Sequence, residues 1–531
     1  MARYRYQHFG YTPPPEVSGK PAPGRYPVVI VGAGPTGLSM AIDLALRGVA
    51  SVVLDDNDVV SVGSRAICWA KRTLEIFDRL GVGERMVEKG VTWKIGRLYH
   101  GDREVYSFDL LPEDGHKMPA FVNLQQYYVE QYLVERARDF PDLIDLRFKN
   151  KVIGVEKIAA GAVARIETPD GTYRLEADYL LACDGAKSLV RSELGLDFAG
   201  KLFEERFLIA DIELKADFPS ERRFWFEPTF HAGQSALLHK QPDDIYRIDL
   251  QLGWDADPEA ERRPENVIPR IEKVIGRSDF EIDWVSVYTF QCRRLERFVH
   301  DRVIFVGDSA HIVSPFGARG GNGGIQDVDN LGWKLAAVLN GQAPEALLAS
   351  YDDERIHGAD ENIANSSRAT NFMTPKSAME KMLRDEVLDL AADMVFARKL
   401  VNSGRLSVPC SLAGLPLQTP SAEAVLEPGS ACLDAPLRHG ETDVWLLGQL
   451  NGGFTLLSFG DRPRIEVNDI KHVHVSRPGG GELQDVSGHA FRRYGEGFTY
   501  LIRPDQHVAA AFRAPDAAAI GAAHRRALGR P

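Results

Sequence analysis

An α/β fold carrying an added antiparallel sheet is predicted for this 531-residue chain by three stretches. In the first, YPVVIVGAGPTGLSMAIDLALRGVASVVLDDN, the apolar run at 28–31 suits a buried parallel strand. It ends in Gly32-Ala33-Gly34-Pro35-Thr36-Gly37. A helical pattern follows, with Leu38, Ala41, Leu44 and Ala45 on one side, and Val52-Val53-Leu54 reads as the next strand. In the second stretch an apolar run from Tyr179 ends at Asp184-Gly185 and leads through Ala186-Lys187-Ser188 to an apparent helix at Arg191. In the third, Val303-Ile304-Phe305-Val306 stops at Gly307-Asp308. Five glycines then fall within eight residues, Gly317 to Gly324, before another helical pattern.

The first stretch is a GxGxxG held between two strands, the fingerprint of a Rossmann-like dinucleotide site. Gly32 makes the tight turn, Gly34 lets a pyrophosphate approach, and Gly37 lets helix pack on strand. Asp55, eighteen residues after Gly37, ends the second strand where a carboxylate can accept from ribose hydroxyls. Asp56 is the second candidate; Asp55 is preferred because it directly follows the apolar run. The third stretch has its own physical use. The first amides of a helix lack internal partners and carry partial positive charge, so a glycine loop entering a helix binds an anion or a polarised oxygen closely.

Composition narrows the partners. The chain is 44% hydrophobic with net charge −12. That allows a large core and about three domains. No basic stripe argues for nucleic acid, and no Lys/Arg cluster or long apolar stretch argues for a membrane. The Pro- and Gly-rich residues 1–26 have no apolar signal core and read as an extended arm. Five scattered cysteines without a CxxC argue against a zinc site or a disulfide framework and fit a reduced, cytoplasmic protein.

Taken in order, GxGxxG, DGAKSLVR and GDSAHIVSPFGARGGNGG…DVDNLGWKL resemble the motifs of the flavoprotein aromatic hydroxylases, the single-component FAD-dependent monooxygenases of the p-hydroxybenzoate hydroxylase type. The resemblance covers roughly residues 25 to 400. It implies that Gly32, Gly34, Pro35, Thr36 and Gly37 lie against FAD, with Asp184 and Gly307 near it. Ser64-Arg65-Ala66 resembles the segment whose arginine, here Arg65, reaches the cofactor. Gln126, with Glu130 four residues on, resembles the glutamine near the diphosphate or ribityl chain. Asp308 would accept from ribityl hydroxyls. The amides around Gly320, Gly321 and Asn322 would face the N1–C2=O edge of the flavin, which turns anionic on reduction. Pro315 would sit beside the reactive side of the ring. One departure stands out: many members have Gly-Gln-Gly-Met-Asn where this chain has Ala318-Arg319-Gly320-Gly321-Asn322. Arg319 is therefore an added cation, expected near the flavin or its channel.

The implied chemistry is hydroxylation of a phenol with NADPH or NADH and O2, through a flavin C4a-hydroperoxide. FAD carries the hard step, and the protein supplies geometry and polarity. Residues 201–284 alternate as antiparallel strands and would form the substrate side. Candidate pocket residues are Trp225, His231, His239, Gln241, Tyr246 and Arg247, with Arg247 also able to pair with Asp249 or Asp244. The nucleotide unit would comprise 27–200 and 285–405. A helical stripe of Leu383, Val387, Leu390 and Met394 within 376–402 is expected to pack on it.

Residues 406–427 read as a linker and 428–531 as a separate unit. It resembles the thioredoxin-like appendage of larger phenol hydroxylases, without the redox CxxC, and suits stabilisation or contact in a homodimer. Length and the RGGN loop resemble the 3-(3-hydroxyphenyl)propionate hydroxylase group. The alternatives are another FAD oxidoreductase on this scaffold, an oxidase or N-hydroxylase, and a non-catalytic FAD-binding protein.

Overall fold

The computed structural model describes residues 4–63, 65–253, 255–401, 406–460, 467 and 470–530. Ser64, and Asn402 at the end of the expected long helix, lie outside them. The glycine motif joins the strand Tyr26–Val31 to the helix Pro35–Leu46, and Ser51–Leu54 is the next strand. Tyr26–Val31 lies parallel between Ser51–Leu54 and Gly171–Ala182, and Gly171–Ala182 lies parallel to Val303–Phe305. The carboxyl ends of three neighbouring strands therefore release all three motifs at one edge of an eight-stranded sheet. That edge is where parallel sheets bind ligands.

A second eight-stranded sheet runs in the order His311–Ile312, Glu281–Arg294, Ala199–Glu213, Ile245–Leu252, Ala236–Lys240, Arg222–Phe226, Ile95–His100, Arg103–Asp109. Its extent differs from the expected 201–284. Ala199–Glu213 and Glu281–Arg294 are single strands across both expected boundaries. The segment 95–109 also belongs to this sheet, because Arg222 to Phe226 pair in parallel with Gly96 to His100. Only pairing at a distance reveals that membership.

Alternation sends the two faces of this sheet to different surroundings. Leu208, Ala210, Leu238, Tyr246, Ile248 and Leu250 pack with Val267 and Ile271 of the helix Pro264–Ile275. Phe207, Phe224, Leu237 and Phe290 face the other way and pack with Phe316, Ala369 and Met373. The second face is the one turned toward the nucleotide unit.

The helix Ala378–Asp393 does not follow its expected orientation. Leu383 is 64% exposed, Leu390 42% and Met394 49%, whereas Arg384, Leu388 and Ala391 are buried. The helix lies against the strand Arg103–Asp109; of the expected stripe Val387 packs on the core, while Leu383, Leu390 and Met394 face solvent. The N-terminal arm packs closely: Phe9 stacks on Phe148, and the Tyr6 hydroxyl accepts from the Gly63 amide at 3.0 Å.

Beyond 428, a four-stranded sheet runs in the order Lys471–Val475, Thr455–Phe459, Thr499–Ile502, Val508–Phe512. The helix Ala517–Ala527 follows, and Asp516 accepts from the Ala519 amide at 2.7 Å as its cap. Leu446 and Leu447, both buried, begin the short helix Leu446–Gln449. Cys432, buried in this unit, is free like the other four cysteines.

Candidate active site

The three motifs interlock through contacts that leave no room for larger residues. A Cβ on Gly32 would lie 2.6 Å from the Cys183 carbonyl oxygen, and one on Gly37 would collide with the Gly32 carbonyl. Gly307, in the left-handed region at φ +69°, and Gly324 both close on the Thr36 hydroxyl, at 2.9 and 3.0 Å from a would-be Cβ. Arg191 donates to the Ser309 carbonyl at 3.0 Å, tying the second motif to the third.

A cleft opens within this frame. A Cβ on Gly34 would meet nothing within 4 Å, and the helix that Gly34 caps has no side-chain cap bond. Opposite, the helix Gly320–Leu339 makes its first internal bond from the Gly323 amide to the Arg319 carbonyl at 2.7 Å. The amides of Gly320, Gly321 and Asn322 thus precede its ladder. Gly321, Pro315 and Asp308 are all accessible. Asp308 is accessible yet ringed by protein, as a group lining a deep cleft must be. Burial pushes its carboxyl up, against the pull of His311 and Arg65. An open glycine, two uncapped helix starts and an accessible carboxylate at one sheet edge fit the diphosphate, ribityl chain and ring edge of FAD.

Several predicted residues serve the cleft indirectly. Asp55 accepts from the Ala33 amide at 2.7 Å and the Asn57 amide at 2.9 Å, closing the glycine turn; Asp56 is exposed and bonded to Asn57. Asp184 accepts from the Val190 amide at 3.1 Å. Gln126 accepts from the Ala66 amide at 3.1 Å and donates to Glu130 at 2.7 Å, so it braces the loop that carries Arg65. The Asn322 side chain joins the Ala70 amide and the Cys68 carbonyl, both at 2.9 Å, and leaves only its backbone to the helix start. Arg65 itself is exposed, and its carbonyl accepts from Arg247.

Other expectations need correction. Arg319 is 1% exposed and donates to Asn362 and to the Leu406 carbonyl; it bolts the loop from behind and does not line the channel. Trp225 and Tyr246 belong to the sheet face turned away from the cleft, where Trp225 stacks on Tyr99 and the Tyr246 hydroxyl donates to the Ala216 carbonyl. His231, on a turn beside Pro264–Ile275, meets the Gln251 carbonyl. Burial lowers its pKa.

Arg247, His239 and Gln241 are on the cleft side, but as a structural row. Arg247 pairs with Asp211 through two bonds of 2.7 and 2.8 Å, not with Asp244 or Asp249, and Gln241 donates to the same carboxylate. Burial, then Arg222 and Arg247, hold His239 far below its ordinary range, so it is neutral.

Three residues that matter here were given no site role by the sequence, although the first of them opens the DVDN of the third motif. Asp327 accepts from the Gly307 amide at 3.0 Å, His311 at 2.6 Å and Arg355 at 2.6 Å, and so fixes the turn presenting Asp308. Burial opposes its charge, but His311 and Arg355 outweigh that and hold the carboxyl low. Helical spacing from Gly320 could have placed it on the inner face. Asp211 and Asp249 become visible only once strand register is known.

This fold and cleft define a dinucleotide-dependent oxidoreductase. A model for the FAD binding domain matches residues 25–366, and the chain belongs to that family of FAD-dependent monooxygenases. A flavin-dependent monooxygenase of Mycobacteroides abscessus is 34% identical over 348 residues, covering 62% of this chain and 71% of the relative. A 3-(3-hydroxy-phenyl)propionate/3-hydroxycinnamic acid hydroxylase of Mycolicibacterium smegmatis is 26% identical over 447 residues, covering 83% and 78%. The crystal structure of the flavin-dependent monooxygenase PieE with FAD and substrate shares the fold, with TM-score 0.79 at 22% identity over 96% of this chain and 99% of that one. FAD is the cofactor. Among the described residues no helix is long and apolar enough to cross a membrane.

Proposed function

We propose that this chain hydroxylates a phenolic aromatic substrate, using NAD(P)H as reductant and O2 as oxidant. The observation that carries the reading is that Phe316, next to Pro315 in the glycine loop, packs on Phe207 and Phe290 of the second sheet, which brings one face of that sheet to the loop that would hold the cofactor. Bound FAD supplies the redox chemistry, accepting electrons from NAD(P)H and passing them to O2. The chain's own residues do the rest. The Asp308 carboxylate and the Gly34 turn hold the cofactor chain. The uncapped amides at Gly320 and Gly321 face developing negative charge. The cluster of Phe207, Phe290 and Phe316 makes a dry wall that keeps water from the reacting atoms. A relative named for a hydroxyphenyl acid supports the substrate class. Free cysteines throughout agree with a cytoplasmic setting, and contact within a homodimer is the role proposed for the C-terminal unit.

The test is direct. The purified protein should be yellow, and anaerobic NADH or NADPH should bleach it much faster with one phenol of a panel than without. A yellow protein that neither nucleotide reduces with any phenol would sink the reading. Asp308→Ala should emerge with FAD occupancy lowered at least tenfold at equal protein, read from the flavin absorbance; full occupancy with full activity would overturn the assignment.

A further inference from the structure

We propose that Asp249 is the residue that takes the proton of the substrate's phenolic hydroxyl. This rests on the hydroxylase reading above and adds a base to it. Asp249 lies on Ile245–Leu252, opposite Ile209 on one side and Leu237 on the other, and so faces the cleft side of the sheet from between two apolar neighbours. The residue is partly accessible. Its Oδ1 is shut off from solvent and meets no hydrogen-bond donor among the described residues. A buried carboxylate oxygen without a donor disfavours the charged form, and Oδ2, which also meets no donor among the described residues, is the oxygen a ligand can reach.

The other groups of this face are poorer proton acceptors, although His239 Nδ1 and Gln241 Oε1 are, like Asp249 Oδ1, buried without a partner among the described residues. Asp211 is held by Arg247 and Gln241. His239 is neutral. Burial pushes the Cys68 thiol up to about 12, so it stays protonated. Arg222, Arg247, Asp211, His239 and Cys68 are the charged or titratable groups that face Asp249 from the surrounding strands. Burial, partly countered by Arg247 and reinforced by Asp211, raises the Asp249 carboxyl to about 6, with Arg222 also pulling it down. A base of that strength is mostly ionised at neutral pH and still accepts a proton readily.

In the step, the phenol O–H bond breaks and its electron pair stays on oxygen. The proton forms an O–H bond with the Asp249 carboxylate. A neutral carboxyl then stands beside a phenolate, whose ring carries the electron density that hydroxylation needs. Arg222 and Arg247 lie close enough to offset the relocated charge. The proton returns to water when product leaves.

The experiment uses FAD-loaded wild type, Asp249→Asn and Asp249→Glu. Hydroxylated product and NAD(P)H consumption are followed from pH 5 to 9, with a phenol that wild type accepts and with its more acidic ring-fluorinated analogue. The Asn variant should keep its FAD and its reduction by NAD(P)H but lose product formation on the order of 10²-fold at pH 7. The loss should shrink with the acidic phenol and at high pH, and the limb near pH 6 should vanish. Asp249→Glu should retain that limb. An Asn variant with wild-type product rate and pH profile overturns the proposal, as does a loss equal for both phenols with the limb intact. If wild type itself hydroxylates no phenol, the functional reading falls, and the proposal with it.

Discussion

At the scale of single residues, two glycines of one motif answer to different forces. Gly37 is closed in by the fold, since a Cβ there collides with the Gly32 carbonyl. Gly34 is left open by the fold, because only a ligand would fill the space beside it. Gly37→Ala should therefore lower the melting temperature with or without cofactor, by about 1–3 kcal/mol of stability. Gly34→Ala should leave the cofactor-free melt unchanged and reduce FAD occupancy. Parallel melts and flavin spectra of the two variants separate these outcomes; equal melts for both would contradict the packing role of Gly37.

At the scale of elements, strand register and helix rotation decide what a side chain does. Arg247 and Asp211 stand directly opposite on paired strands, both 4% exposed or less. Asp211→Ala would leave a buried guanidinium without its carboxylate, which costs about 3–5 kcal/mol. Chemical denaturation should show that loss; a change within experimental error would mean the pair is not buried in solution. The helix Ala378–Asp393 makes the converse point. Leu383→Ser and Leu390→Ser should each shift stability by no more than about 0.5 kcal/mol, while Leu388→Ser, on the buried side, should cost about 2–5 kcal/mol. The reverse ranking would restore the orientation expected from the apolar stripe.

At the scale of the whole molecule, the C-terminal unit is locked to the flavin helix by buried charge. Arg503 reaches Glu354 with bonds of 2.5 and 2.9 Å, Lys334 reaches the same carboxylate at 2.7 Å, and Trp333 donates to Asp505 at 3.0 Å. Lys334 and Trp333 belong to Gly320–Leu339, the helix that begins at the glycine loop. Burial works against the Glu354 charge, but Arg503 and Lys334 hold its carboxyl well below the ordinary range. The unfolded chain takes up this proton near pH 4.5 and the folded chain only far below it. The contribution is therefore complete above pH 4.5 and lost as pH falls. Glu354→Gln should lower the melt at pH 7 and flatten its decline between pH 5 and 3. Unchanged acid sensitivity would show that other carboxyls govern it.

What was legible in the chain follows from what local sequence encodes. Strand–glycine–helix order, the acids at strand ends and the glycine loop depend on neighbours a few residues apart, and so the nucleotide sheet, its three motifs and the family could be read directly. The alternating strands around 222–252 were legible too, but not which face meets the cleft. Trp225 and Tyr246 look as suitable as Asp249 until the sheet is assembled, because period-two alternation names two faces without saying which is inside. Arg319 looks like a channel cation until Asn362 and Leu406 are seen around it. The apolar stripe of Ala378–Asp393 marks an amphipathic helix but not the direction it turns. By itself the sequence determined the family, its cofactor and the sheet that releases the three motifs, since these rest on contacts close along the chain. Only the tertiary structure decided which carboxylates of the second sheet are paired and which are not, because that follows from pairing partners tens of residues apart and from the burial their packing creates.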